Sequence, residues 1–317
     1  MWMSQMYATT INGAEAGEAG MDPTAGDVLR MYLAEQSNAF LAQLPRLRQD
    51  KPEAAHKLRV ACRRTRSVLR TYRPLLDAEW ADGLGEQISA LTDVIAPERD
   101  IEVVRERLLS ALERYGTEDP GVLRAHTLVD RILGKDYAAA HDATLSALAA
   151  PNFHALADRI ALAPQTVAAG DGPLGEAAER VLPPLVRAEF AQVAKRAAAV
   201  DRHGPDEAWH RLRISAKRAR YAAEVCVPVI GIPAEAFASQ LSRITEELGQ
   251  QQDAAVAGEV VLRAAQSPRI ATSTGFVLGR LLGESRAEIA RSRRAFPDLW
   301  TSATAPSYRA WFAEEVR

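Results

Sequence analysis

The chain has 317 residues, of which 47% are hydrophobic, 6% aromatic and 25% charged, with a formal net charge of −2. That length allows two compact domains or one domain built twice, and an alanine-rich, aromatic-poor apolar fraction suits close-packed helices better than sheets. The balanced charge argues against a general nucleic-acid binder, the two cysteines exclude a disulfide framework, and no stretch approaches the roughly 20 apolar residues of a membrane span.

Residues 1–23 are rich in Gly, Ala, Ser and Thr and carry no helical period. With no basic start followed by an apolar run, they predict a flexible leader rather than a signal peptide. Beyond them the periodicity is helical nearly throughout, and no convincing alternating strand is found. Helices are predicted near 27–49, 53–72, 79–115 and 120–149, with Pro97 expected to break or kink the third. A join follows at about 161–175, where Pro and Gly interrupt the pattern, and then helices near 174–201, 206–227, 233–266 and 272–296. Pro52 and Pro205, each followed at once by an acid (Glu53, Asp206), mark two of the helix starts. Trp311 and Phe312, near the C-terminus, are read as packing on the second set of helices rather than docking a partner. Cys62 and Cys226 lack metal spacing and read as packing residues of a reduced, cytoplasmic protein.

The chain repeats itself. HKLRVACRRTR at 56–66 returns as HRLRISAKRAR at 210–220, an offset of 154, and ERDIEVV at 98–104 is matched by QQDAAVA at 251–257, an offset of 153. Leu84, Ile88, Leu91 and Ile95 hold register with Phe237, Leu241, Ile244 and Leu248, and Ile132-Leu133-Gly134 answers to Leu281-Leu282-Gly283. We read an internal duplication, with a first unit at 24–165 and a second at 166–317. Four long helices per unit predict an all-α fold of two four-helix bundles related by a pseudo-two-fold axis.

Charge is concentrated in the repeated segment: Lys57 to Arg73 holds seven Lys/Arg and no acid, and Arg211 to Arg220 holds five and no acid. At 100° per residue, His56, Arg59, Arg63, Arg66 and Arg70 share an arc of about 80° along four turns. Leu58, Ala61, Cys62, Thr65, Val68 and Leu69 form the opposite, core-facing stripe, and Lys57 and Arg64 sit on a flank. The second copy aligns His210, Arg213, Lys217 and Arg220, backed by Leu212, Ala216, Ala219 and Ala223, with Arg211 and Arg218 on the flank. Like charges stacked at these spacings destabilise a helix unless something supplies negative charge. Arginine offers a planar fork for phosphate oxygens, lysine a point charge, and successive turns set them in a ladder suited to a repeating anion. Each histidine leads its face, where bound phosphate would favour the charged ring. Arg30, Arg187, Lys195 and Arg196 on the preceding helices could join the same cleft, although spacing alone does not show which face it. His126, His141, His154 and His203 have no counterpart in the other copy and read as surface or core.

His56, Arg59, Arg63, Arg64 and Arg66, echoed by His210, Arg213, Lys217, Arg218 and Arg220, resemble the signature of the CHAD (conserved histidine α-helical domain) family. Asp100 and Asp253, after Arg99 and Gln252, look like its second, Arg-Asp motif, with the arginine kept in the first copy only. The resemblance covers nearly the whole chain from about residue 24. It implies two four-helix bundles around a basic cleft or pore and binding of inorganic polyphosphate. In some members it also implies association with polyphosphate granules. Family members are often fused to a triphosphate-tunnel domain with an ExExK motif; none occurs here, so a stand-alone module is expected.

The sequence therefore predicts a non-catalytic polyphosphate-binding protein, cytoplasmic or on granules, with granule-associated proteins as further partners, no cofactor or metal and no membrane. Two alternatives stay open. A nucleic-acid binder would want aromatics among the cations, and both basic faces lack them until Tyr72 and Tyr221. A metal-dependent phosphohydrolase would want clustered carboxylates, whereas the His141-Asp142 dipeptide has no partner histidine and Asp100 and Asp253 supply one carboxylate per unit.

Overall fold

A computed structural model describes residues 22–49, 51, 53–116, 118–167 and 172–313. The fold is all-α: α1 Ala25–Leu41, α2 Leu44–Arg48, α3 Ala54–Thr71, α4 Ala78–Arg114, α5 Pro120–Ala149, α6 Pro151–Thr166, α7 Ala178–Ala199, α8 Asp206–Ile230, α9 Ile232–Ala265, α10 Thr272–Ala303 and α11 Pro306–Ala313. Two short 3₁₀ turns, Arg73–Leu75 and Gly172–Gly175, link α3 to α4 and lead into α7.

Several boundaries differ from the sequence reading, and prolines account for most of them. α4 runs as one continuous helix through Pro97, so of the expected break or kink the break is absent. The expected join at 161–175 is helical as far as Thr166, because α6 carries Pro164 inside it and Pro151 at its first turn, where a missing N–H costs nothing. α10 likewise passes Pro297 to reach Ala303. The first predicted helix divides into α1 and α2 around Ala42 and Gln43. Asp22 and Pro23, counted with the leader, are described, and the Pro23 carbonyl accepts from the Ala178 amide; residues 1–21 and Pro52 lie outside the described residues.

Thr24 begins α1 with a capping box: its side chain accepts from the Asp27 amide while Asp27 accepts from the Thr24 amide at 3.0 Å. The same residue forms an isolated antiparallel bridge with Ala177, through Ala25 N–H to Glu176 O at 2.9 Å and Ala178 N–H to Pro23 O at 3.0 Å. Thr24 and Ala177 stand 153 positions apart, the offset of the sequence repeat. Helices at matching positions also meet: α3 packs on α8, α4 on α9, α5 on α10 and α1 on α7.

The apolar cores do not follow the two predicted units. One joins Ala25, Val28, Leu29, Tyr32 and Leu33 of α1, with Val68 and Tyr72, to the buried faces of α7, α8 and α9. A second lies among α1, α3, α4 and α6, and a third mixes α4 and α5 with α9 and α10. Tyr72, fully buried, donates its hydroxyl to Ala222 O at 2.9 Å and lies 3.6 Å from Cys226 Sγ. At the C-terminal end Phe312 is buried against Phe190 and Phe237, at centroid distances of 6.0 and 5.0 Å, as the packing reading of that segment expects.

Because these cores are shared, a cavity in α1 is felt by the whole molecule. Leu33→Ala, at a fully buried position, is expected to lower unfolding free energy by about 2–5 kcal/mol. Urea unfolding followed by circular dichroism and by tryptophan fluorescence should give one coincident transition; two separated transitions would show independent units.

Candidate functional site

The basic helices α3 and α8 are held against the body by the apolar stripes that the sequence marks. Leu58, Ala61, Cys62, Thr65, Val68 and Leu69 are buried on α3, and Leu212, Ala216, Ala219 and Ala223 on α8. Between the two helices opens a cleft of about 370 Å³ lined by Arg59, Arg63, Arg66 and Arg70 from α3 and by His210, Arg213, Lys217 and Arg218 from α8. Thr92 of α4, Ser67, Ile214 and Tyr221 complete its wall.

Not all of these cations are open. Arg59 donates to Ala96 O at 2.8 Å and to Asp100 Oδ1 at 3.0 Å. Arg218 lies 3.0 Å from Glu189 of α7, both side chains being largely buried, and Thr71 donates to the same carboxylate at 3.3 Å. Glu224, 8% exposed, sits 3.2 Å from Arg64 and 3.4 Å from Arg220, which also donates to Ser242 Oγ at 3.0 Å. Burial pushes the Glu224 carboxyl up and the two arginines oppose that shift. The guanidinium groups of Arg64 and Arg220 flank the Tyr221 ring, at 5.7 and 4.8 Å from its centroid. Arg64 therefore fastens α3 to α8 through Glu224, and Arg220 ties the same carboxylate to Ser242 of α9. This corrects the expectation that the basic faces lack internal counterions: acids on α7, α4 and the far end of α8 neutralise Arg59, Arg64, Arg218 and Arg220.

What remains is a smaller open set. Among the described residues no carboxylate lies within ion-pairing distance of Arg63, Arg66, Arg70 or Lys217. Arg63 Nε donates to Tyr221 Oη at 3.1 Å, and Arg66 and Arg70 are exposed. Arg213 lies against Gly249, whose Cα a Cβ would extend to within 3.5 Å of the guanidinium, and burial lowers its pKa while Asp253 opposes the shift. Lys217 is the most perturbed: burial first, then Arg213, Arg63, Arg220 and Arg59, push its ammonium down to about 6. Burial first, and the neighbouring arginines second, thus disfavour the charged form of this amine.

The histidines separate. His210 lines the cleft, and its Nδ1 donates to Gln252 Oε1 at 3.1 Å, so the glutamine standing where the first copy has Arg99 serves to orient the ring. His56 instead borders a second pocket of about 240 Å³ with Glu53, Glu98, Arg99 and His141. Burial lowers its pKa, partly offset by Glu53, with Arg99, Arg59 and Arg63 acting the same way as burial. There Arg99 holds Glu53 at 3.5 Å and Glu102 at 3.0 Å, and His141 Nδ1 meets Glu98 Oε1 at 2.9 Å. Glu53 takes up a left-handed backbone (φ 66°) at the start of α3.

The other predicted positions fall outside the cleft. Lys57 is exposed beyond it, and Arg211 pairs with Glu207 at 3.3 Å on the surface. Arg30 is held by Asp27 and the Val167 carbonyl, Arg196 donates to Ser215, Lys195 is exposed and Arg187 is half-buried; none of the four lines the cleft. One positioning residue was missed: Arg293 of α10, 8% exposed, binds Asp206 and donates to the Arg202 and Gly204 carbonyls at 3.2 and 2.9 Å, fixing the start of α8. Among the described residues no group of three or more His, Cys, Asp or Glu could hold a metal ion, and no helix is long and apolar enough to cross a membrane.

A family model described as CHAD domain matches residues 31–262. Among solved structures the chain is similar to PptA from Streptomyces chartreusis, with 31% identity and a TM-score of 0.73, over 88% of this chain and 99% of that one. It shares its fold with the CHAD domain from the plant Ricinus communis, at 24% identity and a TM-score of 0.65, over 90% and 95% of the two chains. Two uncharacterized proteins of Mycobacterium tuberculosis, Rv2226 and MT2285, are each 27% identical over 297 residues, which is 90% of this chain; the chain spans 55% of their length.

The lysine carries a stability signature independent of any ligand. Its folded pKa, about 6, lies below the 10.5 of a free lysine, so the unfolded chain binds more protons between those values. The penalty for keeping it is then full below pH 6 and fades toward 10.5. Lys217→Met should raise the melting temperature at about pH 5.5 and progressively less toward about pH 9.5. A gain that does not vary with pH would contradict the depressed pKa.

Proposed function

From the premise that the chain belongs to the CHAD family, we propose that it binds inorganic polyphosphate, without turning it over, in the cleft between α3 and α8. The observation that carries this reading is the convergence of Arg63, Arg66, Arg70 and Lys217 on one cleft without a carboxylate partner among the described residues. A phosphate chain supplies the missing charge along its whole length, and each bound stretch raises the effective concentration of the next. It also relieves the repulsion on Lys217, which then takes up a proton and adds a point charge to the arginine forks. His210, oriented by Gln252, is a further donor at the same wall.

The site favours phosphate over nucleic acid. Tyr72 and Tyr221, the aromatics nearest the basic faces, are 0% and 1% exposed, so neither offers a ring for a base to stack on. Nucleic acid is then a weak, salt-sensitive competitor. Carboxylates near the cleft are engaged with its arginines, Asp100 with Arg59, Glu189 with Arg218 and Asp253 electrostatically with Arg213, which supports a binding rather than a hydrolytic role. Under this reading the protein works where polyphosphate accumulates, in the cytoplasm and on granules, alongside granule-associated proteins.

Reversing charge at the two central positions, Arg63→Glu with Lys217→Glu, should abolish binding of long polyphosphate at about 150 mM salt, where weak nonspecific attraction fades. Circular dichroism should report unchanged helicity. Tight binding retained by the folded double variant would refute the assignment, as would equal loss of affinity for single-stranded DNA and polyphosphate from comparable starting values.

A further inference from the structure

The cleft does not end at its own rim. A second groove of about 370 Å³ adjoins it on the outer side of α3 and α4, and the two share Arg66 and Arg70 in their walls. Beyond those arginines the groove holds Arg73, Asp82, Glu86 and Ser89. Arg66 and Arg70 are one helical turn apart and both exposed, and Arg73 follows three residues later in the 3₁₀ turn after α3. The cations thus continue as a track from the inside of the cleft to the outer surface.

Among the described residues, the matching positions of the second unit carry no such run of open cations. At the repeat offset, the positions matching Arg66, Arg70 and Arg73 are Arg220, Glu224 and Val227. Arg220 is spent on Glu224 and Ser242, and Glu224 is buried between two arginines. Whatever the cleft's approximate symmetry, its cationic continuation is one-sided.

Resting on the polyphosphate reading above, we propose that a polyphosphate chain too long for the cleft leaves it over Arg66 and Arg70 and enters this outer groove, where Arg73 is its next phosphate contact. Arg73 is held by Asp82 through two hydrogen bonds of 2.7 Å, with both side chains about half exposed. A surface pair of that kind is worth little in water, so a phosphate of higher charge density competes with the carboxylate for the same fork. Asp82 and Glu86 repel the arriving chain, and the groove admits it only because three arginines face two acids. Asp82 is then a gate on affinity for long chains, and tripolyphosphate, retained inside the cleft, does not sense it.

Two variants separate this role from a merely structural one. Arg73→Gln and Asp82→Asn both remove the same surface ion pair, so a structural effect moves both in one direction. Contact with phosphate moves them apart: Arg73→Gln should weaken long-chain binding roughly fivefold and Asp82→Asn should strengthen it by a similar factor. Tripolyphosphate affinity should stay unchanged in both, measured by titration calorimetry at one salt concentration. Shifts of the same sign, no shift for long chains, or equal shifts for tripolyphosphate would overturn the outer contact while leaving the cleft assignment standing. Wild-type protein that binds neither ligand would remove the polyphosphate reading itself, and this inference with it.

Discussion

Two helices of like charge lie side by side in this protein, and everything else in the structure has to oppose their repulsion. The opposition comes from below and from the flanks. Apolar stripes press α3 and α8 onto shared cores, and Tyr72 reaches across to the Ala222 carbonyl. Buried Glu224 sits between Arg64 and Arg220, and Glu189 holds Arg218. Such pairs add little net stability compared with apolar packing, but removing one partner strands a buried charge, so they fix the relative placement of the helices firmly. The cations are thereby sorted into two kinds: those that fasten the frame and those left facing the cleft.

This sorting explains how a chain with no excess of positive charge can present a concentrated positive site. Each open cation is displayed by a rigid helix whose far side is packed, so little ordering remains to be done when an anion arrives. The depressed pKa of Lys217 reflects its burial first and then the arginines around it. In the proposed reading an anion offsets those charges, and a ligand with repeating charge suits the cleft better than a single phosphate.

The all-α character of the fold was legible in the sequence, because the helical period is a strong signal. The bounds of α5 and the buried stripes of α3 and α8 came directly from spacing. α6 was hidden by Pro151 and Pro164, which read as punctuation: Pro151 sits in a first turn, where a helix accepts it, and Pro164 lies inside the helix without ending it. At the site, the basic faces were visible but their counterions were not, since Glu189 and Asp100 come from other helices. Glu224 was within reach of the reading, four residues beyond Arg220 on one helix. The divergence of His56 from His210 was not, because it depends on how α5 closes over the first unit, where Glu98 and His141 meet.

The central claim is that open cations in one continuous cleft recognise a chain of phosphates. Calorimetric titration of the protein with orthophosphate, tripolyphosphate and long-chain polyphosphate at fixed pH and salt tests it most directly. Affinity per molecule should climb steeply along that series, with orthophosphate barely registering. Comparable affinity for all three, or none for the long chain, would contradict the account.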